Sequence, residues 1–155
     1  MILHARSPAQ ALPRLGAHLS IAGGFARAVD RAVATGCEAI QIFSKSSDQW
    51  RARVLTDAEV GQFRQRVAES GIGPIVAHAS YLINLASPGR KLRQRSIEAL
   101  EDELRRANIL GLAGVVLHPG ADTTSSEDEG LARIADAITA VFAQHPPGSA
   151  RLLLE

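Results

Sequence analysis

A chain of 155 residues, 46% apolar and 21% charged, has the makeup of one soluble globular domain able to bury a core. Its formal net charge of +1 neither requires nor excludes a nucleic-acid partner, and a single cysteine, Cys37, rules out a disulfide framework and fits a reducing cytoplasm. No stretch approaches the roughly 20 apolar residues that span a bilayer, and the opening MILHARSPAQALPR lacks the apolar core of a signal peptide, so a cytoplasmic protein without a membrane partner is expected.

Residues 1–13 read as an irregular N-terminal extension. Leu15 to Ala17 is a short strand ending at His18, and Gly23-Gly24 leads into a helix whose apolar stripe is Phe25, Ala26, Val29, Ala32 and Val33, stopped by Gly36. Ala39 to Phe43 is a second strand, followed by the polar loop Ser44 to Arg53. Thr56 and Glu59 have capping-box spacing and open a second helix that stops near Gly71. Pro74 to Ala77 is a third strand ending at His78. Past Tyr81 and Pro88, a long third helix covers about Lys91 to Leu110, with Gly111 as its stop. Val115 to Leu117 is a fourth strand ending at His118. Ser125 and Ser126, followed by acids at 127 to 129, start a fourth helix that runs to about Gln144. His145-Pro146-Pro147-Gly148 is a turn, and Arg151 to Glu155 is a fifth strand.

Five near-continuous apolar strands alternating with four helices predict a parallel α/β sheet. A doubly wound open sheet suits the length, because a complete (β/α)₈ barrel usually takes about 250 residues. Polar residues favour the barrel. His18, Ser44, His78, His118 and Glu155 end all five strands, whereas an open sheet gathers its site at one switch point. The expected fold is therefore a TIM (β/α)₈ barrel of which about the first five strands and four helices are present.

His78, His118 and Glu155 recur at intervals of 40 and 37 residues, the length of one strand–helix unit. Neighbouring parallel strands would then bring two imidazoles and a carboxylate together, a donor set that suits zinc. Basic residues gather around the same loops. Arg90, Lys91, Arg93 and Arg95 follow one another without an acid at the start of the third helix, where cations oppose the helix dipole unless an anion lies nearby. Lys45, Arg51 and Arg53 fall on the second-strand loop. Phosphate binding by this face is expected.

The motifs at the strand ends resemble those of the endonuclease IV family. They are Gly16-Ala17-His18-Leu19-Ser20 with Gly23-Gly24, Phe43-Ser44-Lys45 with Gln49-Trp50, His78-Ala79-Ser80-Tyr81-Leu82-Ile83-Asn84-Leu85, and His118-Pro119-Gly120. The likeness covers residues 14–155, as the N-terminal portion of such a barrel. It implies a metal-dependent DNA repair enzyme that hydrolyses the phosphodiester 5′ to an abasic site in double-stranded DNA, using a cluster of three metal ions, usually zinc, to supply the nucleophile and neutralise phosphate charge. His78 and His118 would be ligands of one metal. Glu155 would be the catalytic carboxylate that also ligates this metal and bridges it to the next. Tyr81 and Leu82 would enter the DNA minor groove, with Trp50, Lys45, Arg90 and Lys91 as further DNA contacts and His18 lining the site.

The family's loop pattern Lys-Asn-x-Arg-x-Trp stands here as Lys45-Ser46-Ser47-Asp48-Gln49-Trp50, so a carboxylate replaces an arginine that reaches into DNA. The ligands of later strands have no counterpart, and His4 and His145 are poor substitutes. At most one zinc, loosely held, and no incision are expected of this chain alone. Two other readings are a sugar isomerase or epimerase on the same barrel and a non-enzymatic half-barrel.

Overall fold

A computed structural model of the chain describes residues 13–121, 126–144, 148 and 150–155. The expected extension up to residue 12, the helix start at Ser125, the turn at His145-Pro146-Pro147 and the side chains of His4 and His145 lie outside the described residues.

Nine elements alternate in chain order: β1 (Gly16–His18), α1 (Phe25–Ala34), β2 (Ala39–Phe43), α2 (Asp57–Ser70), β3 (Ile75–His78), α3 (Arg90–Leu110), β4 (Gly114–Leu117), α4 (Glu127–Gln144) and β5 (Arg151–Leu154). Local chemistry explains their limits. The Thr56 hydroxyl accepts from the Glu59 backbone N–H while the Glu59 carboxylate accepts from that of Thr56, closing the capping box that starts α2. Gly71 and Gly111 end α2 and α3 in the left-handed conformation, at φ 69° and 76°, which a side chain would resist. The first and third strands begin one residue later than expected and include His18 and His78, because each histidine is still backbone-paired to its neighbour.

All strand pairings are parallel and their order in space is β1-β2-β3-β4-β5. A doubly wound sheet reverses its strand order at the switch point, and this sheet does not, so the barrel reading holds over the open sheet. Right-handed crossovers between sequential parallel strands put every helix on the same face, where Phe25 of α1, Phe63 of α2 and Leu100 and Leu104 of α3 are buried with Ile40, Ile42, Ala77, Val115 and Leu117 of the sheet. The architecture is half a TIM barrel, with the helices on its convex side. β1 and β5 are its outer strands, and Leu15, Leu153 and Leu154 are exposed beside them.

Register decides which side chains face the concave side. Side chains alternate along a strand, and in-register neighbours in a parallel sheet point the same way. Ile40, Ile75, Ala77, Val115 and Leu117 are buried toward the helices. Their alternates therefore line the inside. His18 pairs with Gln41, Phe43 with His78, His78 with Val116, and Val116 with Leu153. Counting two residues on from Val116 and Leu153 puts His118 and Glu155 on the same face.

Candidate metal centre

His78, His118 and Glu155 converge at the C-terminal ends of β3, β4 and β5. One donor atom from each lies within 4.8 Å of the others. The Nε2 atoms of His78 and His118 stand 3.7 Å and 3.8 Å from the same Glu155 oxygen, Oε2. Glu155 lies one residue past the strand but is still tethered, its N–H donating to the Leu117 carbonyl at 3.1 Å. The imidazole of His78 is buried, while that of His118 and the Glu155 carboxylate are more than half exposed. The donors thus form a cup with one dry wall and an open mouth.

The hydrogen bonding of His78 tests whether a metal fits. Its Nδ1 lies 2.7 Å from the Ala79 carbonyl, which only accepts, so the proton sits on Nδ1. The Nε2 lone pair is then free and turned toward Glu155 and His118, the usual outer-shell device for orienting a histidine ligand. Two imidazoles and a carboxylate are a donor set for zinc or a similar ion. The residues present fit one such ion.

His18 is oriented the other way. Its Nδ1 takes the Gln41 side-chain N–H at 3.0 Å, leaving the ring proton on Nε2. The ring is stacked on His78, centroids 6.1 Å apart, and tilted against Phe43 at 4.5 Å. Burial, and secondarily the nearby His78, hold its pKa below the usual histidine value, favouring the neutral form. As placed, His18 offers a donor beside the cup rather than a lone pair.

Tyr81 is 63% exposed. Its ring nevertheless lies over the cup, 5.0 Å from the His78 centroid, 6.2 Å from that of His118 and 5.7 Å from that of Phe43. Leu82 beside it is half-buried. Arg90 and Lys91 are exposed on the first turn of α3, and Trp50 is half-buried with Arg95 over its ring.

Lys45 departs from expectation. The sequence puts it on a DNA-facing loop, but its side chain is only 3% exposed and its ammonium lies 3.2 Å from Asp102 and 3.6 Å from Glu103. That charge is neutralised inside the protein, so Lys45 cannot be a free phosphate contact. Arg53 is likewise paired with Glu59. Asp48 accepts from the Ser46 hydroxyl at 2.6 Å and stays exposed.

Sequence reasoning missed the partner of Lys45. Glu103, buried in α3, accepts from the Ser44 hydroxyl at 2.6 Å and the Ser80 backbone N–H at 3.2 Å. Three residues on, Arg106 donates to the carbonyls of Ser44 and Arg53. Ser80 in turn donates to the Ser47 carbonyl at 2.7 Å, joining the β2 and β3 loops next to Tyr81. Burial raises the pKa of Glu103, opposed by Ser44, Lys45 and Ser80. The signal was available, since Glu103 falls on the stripe Ser96, Ala99, Leu100, Leu104, Ala107 that α3 buries.

The sequence profile of the "Xylose isomerase-like TIM barrel" family matches residues 29–155. A protein named "Probable endonuclease 4" from Geobacter sp. (strain M21) is 41% identical over 141 residues, which are 91% of this chain and 50% of the relative. One of the same name from Chloroflexus aurantiacus (strain ATCC 29366 / DSM 635 / J-10-fl) is 44% identical over 144 residues, 93% of this chain and 50% of the relative. The crystal structure of endonuclease IV from Thermus thermophilus superposes with a TM-score of 0.81 at 41% identity, covering 92% of this chain and 51% of that one. A D-psicose 3-epimerase crystallised in the presence of D-fructose superposes at 0.68 with 17% identity, a likeness of fold alone. The chain spans about half the length of the curated relatives it matches.

Proposed function

The chain belongs to the xylose isomerase-like TIM barrel family and is similar to its endonuclease IV members, and on that premise we propose that residues 14–155 are the N-terminal portion of a metal-dependent DNA repair endonuclease. The reaction proposed is hydrolysis of the phosphodiester 5′ to an abasic site in double-stranded DNA. The observation that carries this reading is the convergence of His78, His118 and Glu155 on one point at the mouth of the half-barrel.

His78 and His118 would hold a zinc ion through Nε2, and Glu155 through Oε2. A metal held there supplies Lewis acidity toward a phosphoryl oxygen and a water acidic enough to ionise near neutral pH. The other tasks fall to side chains. Glu155 would be the carboxylate among the residues that hold the metal, and the catalytic part is assigned to it. The Nε2–H of His18 donates to a phosphate oxygen at the rim. Tyr81, held by the histidine rings, and Leu82 form a wedge that keeps an unstacked nucleotide step open. The buried Glu103–Ser44–Ser80 network keeps the loops carrying Trp50 and Tyr81 in fixed relation.

A chimaera joining this chain to the C-terminal half of the Geobacter relative tests the proposal. The expected result is zinc-dependent incision of an abasic duplex that His118→Ala abolishes. Turnover of keto-sugars without incision would establish the epimerase reading instead.

A further inference from the structure

The two histidines of the cup are held in different ways. His78 has an orienting hydrogen bond of its own, to the Ala79 carbonyl. The His118 ring forms none among the described residues. Its Nε2 faces Glu155 Oε2 at 3.8 Å, and its ring leans on those of His78 and Tyr81, with centroids 5.1 Å and 6.2 Å away. The direction of His118 therefore depends on the backbone that carries it, His118-Pro119-Gly120-Ala121.

That backbone is clamped from the β3–α3 loop. The Leu85 N–H donates to the Pro119 carbonyl at 2.8 Å, and the Asn84 side chain donates through Nδ2 to the Ala121 carbonyl at 2.9 Å. Gly120, between these two acceptors, has φ 109°, and a Cβ there would collide with the Asn84 side-chain oxygen and come within 2.8 Å of the Asn84 Cα. Glycine is thus required twice, for its backbone angle and for the close approach of Asn84. Asn84 has a firm footing of its own. Its backbone N–H donates to Ser96 Oγ at 3.0 Å, and Ser96, buried in α3, donates on to the Leu92 carbonyl at 2.9 Å. Ile83 and Leu85 on either side are both buried.

One half of the amide is idle. Asn84 Oδ1 is buried and finds no hydrogen-bond partner among the described residues. A buried acceptor without a donor destabilises a fold, so stability alone would favour an apolar side chain of the same size here. What asparagine adds is the N–H aimed at Ala121. We propose that Asn84 is a positioning residue for the metal centre, fixing the segment after β4 and through it the aim of His118 Nε2. The proposal rests on the metal reading and deepens it. Tyr81 and Leu82 precede Asn84 on the same loop, so the clamp also sets the wedge in register with the ligand.

Asn84→Leu keeps the size and removes the amide, and Asn84→Ala serves should leucine disturb folding. Competition titration with a zinc indicator and metal-free NMR of the 155-residue chain test both. Outer-shell partners are worth about 10–100-fold in metal affinity and Asn84 acts one step further out, so each variant should weaken zinc binding roughly three- to tenfold. Metal-free spectra should lose the nuclear Overhauser contacts of the His118 ring with His78 and Tyr81. Those between His78 and Tyr81, with centroids 5.0 Å apart, should persist. Thr56→Ala, which weakens the α2 cap, controls for a general loss of stability and should bind zinc as the parent does. Unchanged zinc affinity and unchanged His118 contacts in the Asn84 variants would overturn the proposal, and so would an equal loss of zinc binding in Thr56→Ala. Loosened His118 contacts with zinc affinity unaltered, even in His118→Ala, would refute the metal reading and leave Asn84 as the residue that orients His118.

Discussion

His18 and His78 lie two strands apart on the concave face with their rings stacked at 6.1 Å, yet they carry their protons on opposite nitrogens. His78 gives its Nδ1–H to the Ala79 carbonyl, and His18 receives the Gln41 amide at Nδ1. One ring therefore presents a lone pair and the other a proton at the same rim. A metal and a phosphate oxygen need that complementary pair.

Nitrogen-15 NMR at neutral pH checks the assignment. His78 should show a protonated Nδ1 and an unprotonated Nε2, and His18 the reverse. Gln41→Leu should release His18 into a mixture of tautomers and leave His78 alone. Identical tautomers in the parent would remove the basis for giving the two residues different tasks.

Removal of one donor should weaken metal binding severely. Outer-shell partners of metal ligands are worth about 10–100-fold in affinity, so loss of a ligand itself should exceed tenfold. Competition titration with a zinc indicator is expected to show this for His78→Ala, His118→Ala and Glu155→Ala, with the fold intact by circular dichroism. His18→Ala should bind zinc as the parent does.

Incision of an abasic duplex by the 155-residue chain alone should not exceed that of its His118→Ala variant. The reason is donor supply: the three residues gathered at the cup serve one ion, and the proposed chemistry draws on more. Clear zinc-dependent cutting, lost in His118→Ala, would show that a single site suffices.

Glu103 separates charge from hydrogen bonding. Replacement by leucine removes the acceptor used by Ser44 and by the Ser80 N–H and takes one of two partners from buried Lys45, so a loss of about 3 kcal/mol is expected in urea unfolding. Glu103→Gln keeps an acceptor and should cost clearly less. Burial raises the pKa of this carboxyl, and a raised pKa contributes stability at low pH that is lost as pH rises through the folded value. The parent should therefore gain stability on acidification that Glu103→Gln cannot, so the cost of the glutamine should grow as pH falls.

The α2 cap has the opposite sign. Arg53, with Thr56, lowers the pKa of Glu59 to about 2. A lowered pKa gives stability that is present above the unfolded value near 4.5 and lost as pH falls through the folded one. Unfolding curves of the parent and Glu59→Gln should differ at pH 5 and converge toward pH 2. Thr56→Ala should cost about 1 kcal/mol near neutrality.

Much of this was legible along the chain because the strands are short, apolar and each followed by a polar residue. His78, His118 and Glu155 can be grouped by interval alone, and the parallel sheet turns equal intervals into proximity. Lys45 eludes a reading along the chain for the converse reason. Its neighbours in sequence are polar loop residues, whereas the acids that bury it, Asp102 and Glu103, are 57 and 58 residues away on another element. Glu103 itself sits among core positions of α3, where a carboxylate demands a buried partner, but its partners on β2 and β3 become visible only once the helix is laid against the sheet. The tautomers of His18 and His78 depend on atoms a few ångströms away and leave no mark on residue spacing.

The Leu117–Glu155 backbone hydrogen bond has a further consequence. Side chains alternate along a strand, so sliding β5 by one residue against β4 would turn the carboxylate at the strand end toward the helices and present Leu154 to the two imidazoles. A metal at the cup therefore rewards only one alignment of three strands. During folding, when the exposed leucines of β5 would accept several alignments nearly equally well, the ion would act as a counter, stabilising the chain that has added its fifth strand in step.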